Sequence, residues 1–324
     1  MRAALVTAPS RLDVVEVPDP VPGPGEVLIR TEVAAICGSD LHLAAEGGNG
    51  IPGNPGHEAV GVVVESRAPS LAVGTRVLCT PPAAVSACFA DLQVLPPSAV
   101  VPLPADLPAE RLVLAQQLGT AIFAMKRFWP AVRLPATAEP RAAAVVGTGP
   151  AGLAFVQLLR RAGFAQIIVS DLSAVRLATA TSYGATAVVH APGEDIVAVV
   201  DELTGGAGVE LAIEAAGTDA TRHQVMRMVR DEGRIGLFGL YADDELESWP
   251  MKTVFRKRAT IDMTWNAQLE DGLTSFADAV DIVAEAGTEA PTMITHTFGI
   301  EDVAEAFALA GDPSRGAGKV AIAF

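Results

Sequence analysis

The pattern of hydrophobic and polar positions changes near residue 141. Before it, short runs rich in β-branched residues at 26–33, 58–65 and 74–78 are separated by clusters of proline and glycine. Such spacing is typical of strands joined by turns and predicts a β-rich domain. After it, apolar runs of strand length alternate with stretches of helical period. The predicted fold class is therefore α/β, with a doubly wound parallel sheet in addition to the β-rich domain.

The end of the chain is predicted to return to the first domain. Residues 293–324 contain two segments of strand character around one helical segment. We therefore expect a first domain of residues 1–121 with 292–324, and a second domain of residues 122–291. A chain of 324 residues, half of them apolar, is long enough to bury a core in each domain.

Charge and composition narrow the class of partner. The chain has 38 acidic and 23 basic residues, a net charge of -15, which would repel nucleic acid phosphates and anionic membrane surfaces. We therefore expect a small-molecule ligand, with neither nucleic acid nor a membrane as partner. The N-terminal segment lacks the apolar run of a secretory signal, and three scattered cysteines form no disulfide framework. Both observations predict a cytoplasmic protein.

A glycine motif at the first strand of the second domain predicts a dinucleotide site. Gly147, Gly149 and Gly152 form G-x-G-x-x-G between an apolar run and a helix that opens with Pro150 and Ala151. In this context the glycines allow a tight turn, close approach of the backbone to a pyrophosphate, and packing of the helix on the strand. The helix N-terminus adds partial positive charge for the phosphates.

The next strand ends in a carboxylate that bears on the choice of cofactor. Asp171 follows the motif by about twenty residues, where a carboxylate binds the ribose hydroxyls and repels a 2′-phosphate. NAD is therefore expected rather than NADP. Arg176 is a further cofactor-binding candidate near the adenine, with a phosphate contact or solvent as the alternatives. Asp171 also has an alternative role, as a cap of the helix that begins at Ser173.

A second group of residues, in the first domain, combines candidate zinc ligands with candidate proton carriers. The segment CGSD at 37–40 is followed by His42, and GHE at 56–58 precedes a predicted strand. A thiolate and an imidazole are good Zn²⁺ ligands, and a catalytic zinc needs three protein ligands and one open position. With the glycine motif, the PGPGEVLIR strand and the C-terminal EDVAEAF and GKVAI, these segments resemble the zinc-dependent medium-chain alcohol and polyol dehydrogenases. The resemblance covers nearly the whole chain.

The resemblance implies a GroES-like catalytic domain, a Rossmann domain that binds NAD, and a role for each residue of the second group. Cys37 and His57 match two zinc ligands, and Glu58 matches a carboxylate beside the metal that can act as an alternating ligand. Ser39 matches the hydroxyl that takes the proton of the alcohol. His42 matches the imidazole that passes this proton to solvent.

The chain departs from this family at the third zinc ligand. That position falls on Gln116, whose neutral amide binds Zn²⁺ more weakly than a thiolate or a carboxylate. Either Glu58 completes the metal site, or no metal binds and the pocket works through hydrogen bonds from Ser39, His42 and Gln116. Of the two we expect the retained zinc.

Two further departures concern a lobe and a loop. Four closely spaced cysteines hold a structural zinc in many relatives, whereas the matching region has only Cys79 and Cys88. No structural zinc is expected, and both thiols are predicted to be packing residues. In the loop after residue 257 the usual glycine is absent, and Trp265 and Asn266 are candidates for lining the substrate pocket.

The leading hypothesis is an NAD-dependent dehydrogenase that oxidises a secondary alcohol, such as a polyol, cyclitol or sugar-like compound, or reduces the ketone. Zinc would polarise the oxygen, and the hydride would pass to a nicotinamide in contact with Ala216 and Gly217. The alternatives are a zinc-free carbonyl or enone reductase of the same superfamily and a nucleotide-binding protein without turnover. The resemblance also implies a homodimer or homotetramer that pairs through the edge of the second domain's sheet.

Overall fold

The chain folds into two compact units. The structure is a computed structural model that describes residues 1–104, 106–130, 141–191, 193–241, 248–287 and 293–324. The first unit comprises Met1–Thr120 with Asn266–Phe324, and the second comprises Ala121–Trp265. Antiparallel pairing dominates the first unit, and the sheet of the second is entirely parallel. The predicted α/β class, with one β-rich and one doubly wound unit, is confirmed.

Two sheets form the first unit. The smaller sheet pairs β1 (Arg2–Ala8) with β2 (Arg11–Glu16). The strands of the larger sheet are β3 (Val27–Ala35), β4 (Ala59–Ser66), β5 (Arg76–Cys79), β6 (Leu92–Leu95), β7 (Val100–Pro102), β14 (Ile294–Gly299) and β15 (Lys319–Ala323). Their order is β14-β15-β3-β4-β5-β7, and β6 pairs with β3. The C-terminal strand β15 thus lies directly beside β3, as the predicted return of the chain requires.

Five helices of the described part of the chain have residues in the first unit. They are α1 (Gly38–Ala45), α2 (Ala109–Leu112), α3 (Leu114–Phe128), α9 (Thr274–Ala286) and α10 (Val303–Ala310). Cys79 and Cys88 are fully buried in the core of the larger sheet, and burial raises the pKa of both thiols. The positions of both cysteines in the hydrophobic core fit the predicted role in packing.

The second unit is a parallel sheet with helices between its strands. Its strands are β8 (Ala142–Val146), β9 (Gln166–Asp171), β10 (Ala187–His190), β11 (Val209–Glu214), β12 (Val229–Leu237) and β13 (Thr260–Met263). Its helices are α4 (Pro150–Arg161), α5 (Ala174–Tyr183), α6 (Ile196–Leu203), α7 (Asp219–Met228) and α8 (Met251–Lys257). The strand order is β10-β9-β8-β11-β12-β13, the 3-2-1-4-5-6 order of dinucleotide-binding sheets. The order reverses between β8 and β11, which predicts the ligand position.

The boundaries of the two units lie one residue from the predicted position near residue 121 and further from it near residue 291. The sequence places residues up to 291 in the second domain, whereas the structure groups the chain from Asn266 onward with the first unit. The reason is helix α9, which packs on α2 and lays Phe276 against Gly119 of α3. A Cβ at Gly119 would collide with that ring. An amphipathic pattern shows that a helix buries one face, but it does not show which core receives the face.

Within the described ranges, every helix is too short or too polar to span a bilayer.

Candidate metal and cofactor sites

The three predicted metal ligands lie at one end of a pair of neighbouring strands. Strands β3 and β4 are antiparallel, with Ala34 opposite Ala59. Cys37 follows the end of β3, and His57 and Glu58 immediately precede β4. Because the end of one strand meets the start of its antiparallel neighbour, these residues come together although they are twenty positions apart in the sequence.

The ligand atoms of these three residues form one cluster. The Cys37 sulfur, a ring nitrogen of His57 and a carboxylate oxygen of Glu58 all lie within 4.8 Å of one another. His57 and Glu58 are buried, and Cys37 is half-buried. Thiolate, imidazole and carboxylate are three ligand types that Zn²⁺ takes, and three protein ligands leave a fourth position for substrate oxygen. The residues present therefore fit a catalytic zinc.

Asp40 orients the imidazole in this cluster. Its Oδ1 lies 2.7 Å from His57 Nδ1, and its Oδ2 accepts a hydrogen bond of 2.9 Å from the backbone N–H of Cys37. Metal-binding histidines commonly hold a carboxylate on the ring nitrogen that does not face the metal, which fixes the orientation of the ring. Nε2 of His57 is thereby left for a metal. Asp40 therefore holds both the backbone turn at Cys37 and the ring of His57.

A buried lysine, which the sequence analysis does not single out, completes the surroundings of the cluster. Lys319 begins β15, and its Nζ lies 2.5 Å from Oε2 of Glu58; both side chains have 0% exposure. Burial lowers the pKa of Lys319, but the acidic groups around it, Glu58 first and then Cys37 and Asp40, together outweigh burial, and the net shift of the pKa is upward. The lysine is therefore an ammonium ion. A single lysine within an apolar C-terminal strand is the signal that could have identified it.

The other residues that the sequence predicts for this site are not part of the three-ligand cluster. Ser39 Oγ lies 3.5 Å from His57 Nε2, at the limit of a hydrogen bond. His42 lies half-buried on α1, outside the three-ligand cluster. Gln116 is buried in the first turn of α3, and its side-chain amide nitrogen has no hydrogen-bond partner among the described residues. Trp265 is 65% exposed at the end of the second unit, and Asn266 begins the returning segment.

The affinity of this site for zinc is expected to fall as the pH is lowered. Burial lowers the pKa of His57, but Asp40 and then Cys37 together outweigh burial and hold that pKa well above its ordinary value of 6.5. Below its folded-state pKa the imidazolium must lose a proton before a metal binds, so affinity should change about tenfold per pH unit for each proton released. Chelator competition between pH 6 and 8 measures this. Asp40→Asn lacks the carboxylate, so its His57 should lose the proton at a lower pH, and its zinc affinity should become independent of pH from a lower pH upward than in wild type. A zinc affinity of wild type that is equally independent of pH over this range would contradict the prediction.

In the second unit, the glycine motif forms the predicted turn between β8 and α4. Gly147 has a φ of 94°, in the left-handed region that favours glycine, and Gly149 is the N-cap of α4. A Cβ at Gly152 would overlap the carbonyl oxygen of Gly147. The helix then opens with Pro150 and Ala151, as the sequence predicts. The motif lies at the carboxyl end of β8, where the strand order reverses.

Asp171 holds this turn as well as the next helix. Its Oδ2 accepts hydrogen bonds from the N–H of Thr148 at 2.6 Å and from the Thr148 hydroxyl at 3.0 Å, and its Oδ1 accepts from Ser173 N–H at 2.9 Å. Asp171 thus has the alternative role, a contact at the start of α5, and in addition it holds the glycine turn through Thr148. Arg176 reaches back to the same turn, with Nη1 3.9 Å from the position of a Cβ on Gly149. Charge of both signs therefore borders the predicted phosphate position.

A buried carboxylate organises the turn after β11. Glu214 is fully buried, and its Oε1 accepts from the N–H groups of Ala216 and Gly217, both at 2.8 Å, and from the Thr221 hydroxyl at 2.7 Å. Its Oε2 accepts from the Tyr241 hydroxyl at 3.0 Å. The amides of Ala216 and Gly217 are therefore engaged within the protein, and any cofactor contact there uses other atoms. The sequence places the turn but does not show this network.

Fold and sites together define a class of protein, a nucleotide-dependent oxidoreductase with a metal site. Two family models match the chain: alcohol dehydrogenase GroES-like domain over residues 23–105, and zinc-binding dehydrogenase over residues 150–285. L-threonine 3-dehydrogenase of Thermococcus kodakarensis is 30% identical over 273 residues, which cover 74% of this chain and 76% of the relative. Sorbitol dehydrogenase of Bacillus subtilis is 26% identical and covers 94% of this chain and 92% of its own.

A solved structure shows the same fold. It is an alcohol dehydrogenase from E. coli CFT073, complexed with cofactor NADH, with a TM-score of 0.85 and 22% identity over 100% of this chain and 99% of that chain. This chain belongs to the zinc-type medium-chain alcohol dehydrogenase family and is an enzyme of the alcohol dehydrogenase type. The predicted resemblance is confirmed, and the family together with the cluster of Cys37, His57 and Glu58 supports the predicted zinc.

Proposed function

We propose that this enzyme oxidises a secondary alcohol of the polyol, cyclitol or sugar-like class with NAD, or runs the reverse ketone reduction. The observation that carries the proposal is the cluster of Cys37, His57 and Glu58, in which a carboxylate takes the place of the third ligand. The two relatives named above are named for threonine and sorbitol, compounds with secondary hydroxyl groups. Their names support a secondary alcohol as the substrate class here.

Each residue of the first unit has a distinct part in the proposed reaction. When bound, zinc supplies a Lewis acid for the substrate oxygen, and NAD supplies the hydride acceptor. Cys37, His57 and Glu58 hold the metal. Ser39 accepts the hydroxyl proton of the substrate, and His42 passes it to solvent.

The second unit supports binding of the cofactor. The turn of Gly147, Gly149 and Gly152 leaves room for the pyrophosphate at the start of α4, with Arg176 beside it. Asp171 offers its carboxylate to the ribose hydroxyls, and Ala216 and Gly217 flank the nicotinamide position. These assignments are proposals that the positions of the residues support.

The carboxylate of Asp171 is expected to make the enzyme prefer NAD over NADP. Its negative charge would repel a 2′-phosphate, so Asp171→Ala should reduce the ratio of NAD to NADP affinity by at least about tenfold. Titration of both nucleotides measures this ratio. Asp195→Ala is the matched control, since Asp195 caps α6 through Val197 N–H as Asp171 holds Ser173. An unchanged ratio in Asp171→Ala would assign that residue to the protein turn alone.

Zinc analysis combined with a panel of alcohols tests the proposed function. We expect about one zinc per chain and NAD reduction by polyols or related secondary alcohols. Activity on carbonyls or enones without zinc would favour the reductase, and NAD binding with no turnover on any alcohol would favour a nucleotide-binding role. Either result would replace the proposal.

We also propose a cytoplasmic homodimer or homotetramer. The three cysteines are free thiols, which suits a reducing compartment. Among the described residues β13 pairs only with β12, and it ends in the exposed Met263, which supports this edge of the parallel sheet as the surface for a second copy.

Light scattering should give at least twice the chain mass of 33.4 kDa, and Ile261→Pro in β13 should reduce the assembly to monomers because proline removes a ladder donor. A monomeric wild type would contradict the assembly.

A further inference from the structure

Lys319 and a bound metal would share one partner, the carboxylate of Glu58. The ammonium of Lys319 lies 2.5 Å from Oε2 of Glu58, and both side chains are fully buried. Apart from this ion pair, Lys319 Nζ and both carboxylate oxygens have no hydrogen-bond partner among the described residues. The same carboxylate is the third ligand of the cluster with Cys37 and His57.

The buried charges of this region are balanced without a metal. Glu58 is compensated by Lys319, and Asp40 lies against the ring of His57. Buried ions are tolerated when they are paired, and removal of one partner leaves a costly uncompensated charge. The lysine therefore stabilises the protein in its metal-free form. Lys319 does so by pairing with the carboxylate of Glu58, which is also the third ligand of the proposed metal site.

A dication at the cluster would meet a fixed positive charge. A divalent ion bound to Glu58 lies within a few ångströms of the ammonium, and charges in a buried site are screened much less than at the surface. Lys319 cannot move to solvent easily, because its strand β15 is hydrogen-bonded between β14 and β3. Metal binding must either loosen the ion pair or bear the repulsion, and both weaken the affinity.

We propose that Lys319 is a positioning residue that competes with the metal for Glu58 and so limits the affinity of the site for zinc. The inference rests on the proposed function, since it assumes the zinc site of Cys37, His57 and Glu58. On this proposal zinc dissociates more readily than from a site of three uncontested ligands. Cys37 and His57 bind the metal alone, whereas Glu58 is shared with Lys319.

Zinc affinity of metal-free protein, measured by competition with a chelator, tests the proposal without any use of activity. Lys319→Met should bind zinc at least tenfold more tightly than wild type. Lys319→Arg keeps the charge and should stay within about threefold of wild type, since a guanidinium can also pair with the carboxylate. Lys252→Met, which removes an exposed lysine of the second unit, controls for the change in net charge and should have no effect.

Thermal melting of the same proteins supplies a second measurement. Metal-free Lys319→Met should melt below metal-free wild type, because Glu58 is left unpaired, and excess zinc should restore more of the melting temperature than it adds to wild type. If Lys319→Met does not fold, Lys319→Gln takes its place, with the same expected direction. Zinc affinity equal to or lower than that of wild type in the uncharged variant would overturn the proposal.

The two proposals fail in different ways. If wild type binds no zinc but Lys319→Met binds one equivalent, the competition is supported and the zinc-dependent activity of the natural chain is not. If wild type binds zinc and is active, while the uncharged variants bind no more tightly, the proposed function stands and the competition is wrong.

Discussion

Replacement of Cys37 by serine is expected to remove bound zinc and to lower turnover of the alcohol by on the order of 10³-fold. The thiolate of Cys37 is a charged, soft ligand well suited to zinc, and a serine hydroxyl replaces it poorly. Lewis-acid stabilisation by a metal contributes several kcal/mol, and each 1.36 kcal/mol corresponds to tenfold in rate. Elemental analysis and steady-state kinetics of the purified variant measure both effects.

Cys88→Ser is the matched control for this experiment. Cys88 is buried in the core and its sulfur donates to Gln93 Oε1 at 3.1 Å, a contact that a serine hydroxyl also makes. This variant should keep its zinc and its turnover. If Cys37→Ser retained full activity, or if both variants lost zinc equally, the metal would not be held where the cluster indicates.

The second large effect is expected at Gly152, whose replacement by alanine should abolish NAD binding. The added Cβ would overlap the carbonyl oxygen of Gly147, so helix α4 would have to move away from β8 and distort the turn. Overpacking of this kind costs about 1–3 kcal/mol or more. A thermal melt and an NAD titration should therefore change together. Gly193→Ala, where the new Cβ lies 3.5 Å from the His190 carbonyl oxygen, is the control that should leave both unchanged.

Gly149→Ala separates binding from folding at the same turn. The nearest atom to its added Cβ is Arg176 Nη1 at 3.9 Å, and the residue has a φ of -61° that alanine adopts freely. The melting temperature should therefore be unchanged, whereas NAD affinity should fall because the new methyl group occupies the path of the pyrophosphate. Unchanged NAD affinity in this variant would show that the phosphates bind elsewhere.

The sequence predicted those parts of the protein that depend on local spacing. Glycines at 147, 149 and 152 after an apolar strand specify a turn whatever the rest of the chain does, and Asp171 follows at the end of the next strand. The candidate ligands Cys37 and His57 were predicted through the resemblance, and the antiparallel pairing of β3 and β4 explains why they lie close together. Local spacing alone therefore predicted the glycine turn, whereas the candidate metal cluster required the resemblance.

Contacts between distant parts of the chain could not be predicted in the same way. Lys319 meets Glu58 only because β15 is placed beside β3, which no periodicity in either segment requires. The bond between Asp40 and His57 depends on the turn after β3, and the network of Glu214 with Tyr241 joins the ends of two strands. The grouping of the segment from Asn266 with the first unit depends in the same way on the packing of α9 against α2, which the amphipathic pattern of α9 does not specify.

X-ray absorption at the zinc edge of the purified wild type tests the central claim most directly. The cluster predicts one sulfur ligand at about 2.3 Å and the other ligands, nitrogen and oxygen, at about 2.0–2.2 Å. The single sulfur should disappear in Cys37→Ser. A protein free of zinc, or a coordination shell with two or more sulfurs, would contradict a metal held by Cys37, His57 and Glu58.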